Sequence, residues 1–331
     1  QATRTFFGHY GIKHPSIPLL APEFQNPLFL KLFCQGLNNR GLIEIPHGLH
    51  GITAVFKFFV ESVNEKLSRP GCLDFDPKSL PVQRSVDKLA NLMADEGRTW
   101  LPRERAQDIV NEVLPPRDGY DKSLFRHMIS EGLLAEDRFW TAGDKWCEGI
   151  RFTYERFTDH LVAMHLLDKQ LDITNHSQSF LPAQPLGTFV KDEQTCWRNR
   201  GLIDAFSIQL PERIQKELTE VAPHCAEFRP IREAFVESLI WRAPKAINKA
   251  TLDYINRYVV KYGDTHNEFL NALLTVASNP DHPLNANLLH RHLMKFGLAE
   301  RDAWWSIFLH SQYGTHEAVD SLVDWAGSSE D

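Results

Sequence analysis

The 331-residue chain has no apolar run long enough to cross a bilayer: stretches such as Leu161–Met164 and Phe58–Val60 fall far short of the roughly 20 residues a span requires. Its N-terminus does not read as a signal peptide. Paired cysteines are missing as well. The five present, Cys34, Cys72, Cys147, Cys196 and Cys225, are odd in number and scattered without a CxxC, which argues against a zinc ribbon or dithiol redox chemistry. Reduced, mostly buried cysteines and a cytoplasmic location are therefore expected. Positive charge is in deficit, with 36 Lys+Arg against 43 Asp+Glu and a net charge of -7, unlike a chain that holds nucleic acid mainly through phosphates. GxxxxGK[ST], GxSxG, HExxH and EF-hand patterns are all absent. No local grouping of a nucleophile with a base, or of converging carboxylates, replaces them. The first residue is Gln1 rather than Met, which predicts a fragment or processed product whose remaining machinery lies elsewhere.

What is present is an ordinary globular composition, 43% hydrophobic and 24% charged. At roughly 100–200 residues per domain the length predicts two or three domains. Pro15, Pro18 and Pro22 predict an extended lead-in over residues 1–25 rather than a helix. Asn26–Pro27 reads as N-cap and first helical residue of a helix carrying Leu28, Phe29, Leu32, Phe33 and Leu37, ending near Gly41. A second helix follows the loop 46–51, with Val55, Phe56, Phe58, Phe59 and Val63 on its apolar face. Together they make a small helical domain over residues 1–75.

Residues 78–170 are the most legible. Val86, Leu89, Ala90 and Met93 mark one helix, Ala106, Ile109, Val110 and Val113 a second, and Leu124, Phe125, Met128 and Ile129 a third. Alternation at Ile150, Phe152 and Tyr154, after Leu133–Ala135 and Arg138–Trp140, predicts two strands joined by a turn. Three helices and a hairpin are the order of a winged helix, and a further helix is expected from Arg156 to Gln170. Residues 171–331 read as helices over 211–221, 230–242, 248–262, 266–277, 284–296, 301–312 and 315–325, separated by prolines and glycines. Their spacing suits stacked helical hairpins of the solenoid type. The expected fold class is thus mainly α: helical domain, winged helix with a β-hairpin, then an α-helical repeat region.

Three features invite chemistry. His47 and His50 flank a loop and His282, His290 and His292 crowd the last quarter, but His290 and His292 point to different sides of a helix, so surface histidines are expected rather than a metal site. The third helix of the winged-helix segment offers Lys122, Arg126 and His127 to a DNA groove beside Asp121 and Glu131. Residues 78–169 carry 14 basic and 16 acidic side chains, a net of -2, which disfavours DNA as a partner. Trp304, Ile307 and Phe308 line one helix face and are expected to serve inter-helix packing.

Two stretches resemble a known family. Asn26-Pro27-Leu28-Phe29-Leu30-Lys31-Leu32-Phe33-Cys34 resembles the helix that follows the nucleotide-binding core in STAND NTPases, the NACHT-like signalling ATPases. Arg151–Met164, with Phe152, Phe157, His160 and Leu161, is similar to the segment that closes the family's winged-helix domain. The matching motifs span about residues 20–170, in the family's order, and the bacterial antiviral members of the Avs type are the most similar in feel.

The resemblance implies that ATP or ADP with magnesium is held mainly by an upstream core, with none bound by this segment alone. It further implies that Pro27 packs on the adenine and that the winged-helix motif reaches the phosphates. Where relatives place a histidine, this chain has Tyr154, which can donate a hydrogen bond but carries no positive charge, and Arg156 is the candidate substitute. The implied partners are the upstream core, a protein ligand on the repeats with a phage protein as candidate, and further copies of the chain on activation; a membrane is not among them. Without a P-loop the segment is not expected to hydrolyse ATP by itself, whereas the parent protein would. The alternative from another class is a winged-helix DNA-binding regulator with a helical ligand-binding or dimerisation domain.

Overall fold

The computed structural model describes residues 2–13, 27–45, 52–141, 145–259, 262–277 and 282–284. Within them the protein is mainly helical, with one small antiparallel sheet. Over residues 2–10 helix α1 (Ala2–Tyr10) replaces the extended lead-in expected for residues 1–25, while Pro15, Pro18 and Pro22 lie outside the described residues. All three prolines of that stretch lie beyond Tyr10, so nothing interrupts the helix, and it buries Phe7. Helix α2 (Pro27–Asn39) does start at Pro27, whose missing N–H costs nothing in a first turn, and it buries Phe29, Leu30, Phe33 and Leu37 against α3 (Ile52–Leu67). Arg40, just past α2, ties the two together through Glu61 and Glu65, both at 3.0 Å.

The next elements run α4 (Pro81–Glu96), β1 (Leu101–Pro102), α5 (Arg103–Val113), α6 (Leu124–Ser130), β2 (Leu134–Thr141) and β3 (Lys145–Phe152), with sheet order β1-β3-β2. Ser123 caps α6 by accepting from the Arg126 N–H at 3.2 Å. Leu134 faces Phe152 at the base of the hairpin and Trp140 faces Trp146 near its tip. Strand β1, two residues pairing Leu101 with Ile150, has no periodic signal in the sequence. Leu101, Ile150 and Phe152 join Val86, Leu89, Met93, Val110, Phe125 and Met128 in a core continuous with that of α2 and α3.

Beyond the sheet the hairpin projects with its own aromatic support. Trp100 and Phe139 stack at 4.3 Å, 4° from parallel, and a Cβ at Gly149 would lie 2.5 Å from Phe139 and 2.7 Å from Trp100. Gly149 is therefore glycine because two rings occupy its side-chain space. Gly149→Ala should force the stack apart and cost about 1–3 kcal/mol, the usual range for overpacking. Thermal melts and a change in tryptophan emission would check this.

Helix α7 (Glu155–Gln170) leads through the short α8 (His176–Ser179) and α9 (Glu193–Arg198) into α10 (Arg200–Ile214), and then through α11 (Leu218–Val221) to α12 (Arg229–Trp241), α13 (Lys249–Tyr254) and α14 (Gly263–Ala277). Asp159 of α7 lies against Gly201 at the start of α10, and Asp168 pairs with Arg213 near its end, so α7 and α10 run parallel. Arg200 likewise pairs with Glu233, while Glu212 accepts from the Ala243 N–H just beyond α12, so α12 runs the same way. These helices enclose a second core around Phe180, Leu186, Phe206 and Leu210.

Pro211 corrects the expected helix over 211–221: it sits inside α10, buried with Leu210, and the chain remains helical to Ile214. Tertiary burial outweighs the one lost backbone hydrogen bond. The helix expected over 248–262 is α13, capped by Asn248, and runs on as a π-helical turn, Ile255–Val259. Asn26, the loop at 46–50 with His47 and His50, His290, His292, Trp304, Ile307, Phe308 and nearly all of the helices expected after residue 284 lie outside the described residues. Among the described residues, no helix is long and apolar enough to cross a membrane.

Candidate functional site

The residues marked out in the sequence lie around the place where α2 and α3 touch the start of α7 and the end of α12. Tyr154 is the residue before α7, in extended conformation, and its half-buried ring lies 6.0 Å from Phe29 and 6.0 Å from Phe56. Phe29 is two residues after Pro27 and also meets Trp241, at the end of α12, at 6.0 Å. Phe56 continues the cluster to Phe157 at 4.8 Å and to His160 at 5.6 Å. Two motifs more than a hundred residues apart in sequence thus share one aromatic seam. Pro27 itself is exposed at the head of α2.

Burial and the nearby Glu237 carboxylate push the Tyr154 phenol up to about 12, so it keeps its proton and its capacity to donate. His160 is driven the other way, to about 3, by burial with Arg213 adding to the effect, and it stays neutral at ordinary pH. Its backbone carbonyl accepts from Gln209 at 2.7 Å, while among the described residues its Nε2 and the indole N–H of Trp241 meet no hydrogen-bond partner.

Arg156 is held in an ion network. Its guanidinium contacts Glu237 of α12 and lies 3.8 Å from Asp204 of α10. Arg200 binds Asp204 at 2.7 Å, Glu233 at 2.7 Å and Glu237 at 3.3 Å, so two guanidiniums and three carboxylates link three helices. Thr53 of α3 adds a bond to Glu212 at 2.8 Å, joining the N-terminal helices to the same stack.

The structure thus brings Tyr154 close to the helix that Pro27 begins and turns Arg156 into the helical stack. Sequence reasoning missed Asp159, Arg200, Asp204, Glu233, Glu237 and Trp241. The i,i+4 pairs Arg200/Asp204 and Arg229/Glu233 were visible signals, although nothing local showed that they face each other. The sequence has no P-loop to cradle phosphates. Among the described residues no group of three or more His, Cys, Asp or Glu is placed to hold a metal ion. The chain matches no protein-family model, no curated protein and no solved structure.

Proposed function

We propose that this chain is the regulatory and sensing segment of a STAND-type NTPase in bacterial antiviral defence. The α4–β3 unit serves as its winged helix, and the helices from α10 onward begin its ligand-recognising repeat region. The observation that carries this reading is the Phe29–Tyr154 contact: the two stretches that resemble the family pack on one another, the Tyr154 ring lying 6.0 Å from the ring two positions after Pro27. A nucleotide held by an upstream core would be covered from this side. A protein ligand on the helical region would favour an open arrangement in which the covered surfaces become available to further copies, a population shift between two packings of rigid units.

The natural gene product is expected to retain ATP or ADP, and failure to bind either overturns the proposal. Tyr154→Phe removes one donor and is expected to weaken nucleotide retention about two- to tenfold, the worth of one hydrogen bond. Capture of candidate phage proteins should be lost when residues 171–331 are deleted. Duplex binding by residues 78–170 with steep salt dependence would instead favour a DNA regulator. Against that, Lys122 beside α6 is already paired with Asp118 at 2.9 Å.

A further inference from the structure

Where α7 crosses the start of α10, the Asp159 carboxyl lies flush on the helix, with Oδ2 1.9 Å from the position of a Cβ at Gly201. Any residue other than glycine there would displace it. Asp159 is half-buried, and among the described residues no hydrogen bond or ion pair reaches it. Its own helix presents Glu155 and Arg156, α10 presents Arg200 and Asp204, and α12 presents Glu233 and Glu237, with Arg229 engaged by Glu233 at 2.6 Å. Of the other elements packed on α7, α4 places Asp87 and Asp95 toward the far end, beside Asp168, His165 and Lys169, and Arg151 of β3 is turned to Asp137. Five carboxyls therefore meet three guanidiniums in one partly dry junction, and Arg156 and Arg200 are both shared among several acids.

We propose that Asp159, with Asp204 facing it, is a proton-operated catch that sets how tightly α7 is held against α10. With a proton on Asp159 the carboxyl is neutral and rests on Gly201 without repelling Asp204. Without the proton, a charge with no counter-ion of its own sits in the seam. Burial, then Glu155 and Asp204, push Asp159 up to about 7, and burial pushes Asp204 up to about 6 despite Arg200. When the seam opens, both groups return to the ordinary carboxylate range near 4. The closed state thus binds more protons than the open one. The stabilising contribution is complete below about pH 4 and is lost as pH rises through about 7.

The test compares the full chain with Asp159→Asn, an uncharged group of the same shape. Hydrogen exchange in the first turns of α10 is followed at matched pH, so that intrinsic exchange rates cancel. The protection of Asp159→Asn relative to wild type should grow by up to about tenfold per pH unit between pH 4 and 7, then level off. A ratio that does not change with pH overturns the proposal. So does weaker protection of Asp159→Asn at pH 8, which would mean that an ionised Asp159 is held by Arg156. Should Asp159→Asn fail to fold, Asp204→Asn provides the second test. Removing the facing carboxyl should move the pH range of wild-type loosening downward, and an unmoved range overturns the catch.

Discussion

Glu217→Ala is expected to cost about 3–5 kcal/mol, the usual loss when one member of a buried ion pair is removed. Arg242 is 0% exposed and Glu217 1% exposed at the side chain, and the guanidinium donates to both carboxylate oxygens at 2.6 and 2.8 Å. Thr251 of α13 donates to the same carboxylate at 2.6 Å, and the Arg242 Nε donates to the Ser238 hydroxyl at 3.0 Å. Deleting the carboxylate strands a dry guanidinium and unties α11, α12 and α13 together. The double change Glu217→Leu with Arg242→Met should cost clearly less than the single one, because no charge is left to desolvate. The Thr251 hydroxyl would still lose its acceptor, at about 1 kcal/mol. Urea unfolding of the two variants beside wild type measures both effects, and a double variant weaker than Glu217→Ala would refute the account.

Phe56→Ala should cost a similar amount, about 3–5 kcal/mol for emptying a large aromatic site in a core. The ring joins α3 to α7 through Tyr154, Phe157 and His160, and it already borders a narrow apolar gap lined by Phe29, Leu32, Phe33, Val55, Phe59 and Phe157. Removing the ring would join the new space to that gap in one larger cavity, which places the cost at the upper end. The loss also has a local reporter. Burial, with Glu237 adding to it, pushes the Tyr154 phenol up to about 12, so opening the seam should bring its ionisation down toward the ordinary value near 10. An ultraviolet pH titration, differenced against Tyr154→Phe, reads this shift, and an unchanged midpoint would mean that α3 does not shield Tyr154.

The local signals in the sequence were reliable where a residue acts on its own backbone. Pro27 opening α2, the apolar spacing in α3 and the alternation that builds β3 each needed no distant partner. Errors arose where a local rule was extended or outvoted. The prolines at 15, 18 and 22 say nothing about residues 2–10, and Pro211 is kept helical by burial that no window around it reveals.

The site divides in the same way. Tyr154 was visible as an oddity within a motif, but its contact with Phe29 spans 125 positions. Arg156 looked free to reach a ligand until Glu237, 81 residues away, proved to hold it. Arg242 left no comparable signal: it closes the apolar run Leu239-Ile240-Trp241, where an arginine is ordinarily exposed, and only the fold shows it buried against Glu217.

Among the described residues, strand order β1-β3-β2 leaves β2 with a neighbour on one side only, so every second residue from Leu134 to Thr141 turns its amide and carbonyl to an open margin. Such a margin is a template on which another extended chain can add itself, the first step toward aggregation. The middle of β2 reads Glu136-Asp137-Arg138, all exposed, with Asp137 and Glu136 anchored to Arg151 and Arg103. A strand laid along this margin would bring foreign side chains against three consecutive charges, two of them already committed. The hairpin can therefore extend two exposed tryptophans into water while its open side discourages growth into a larger sheet.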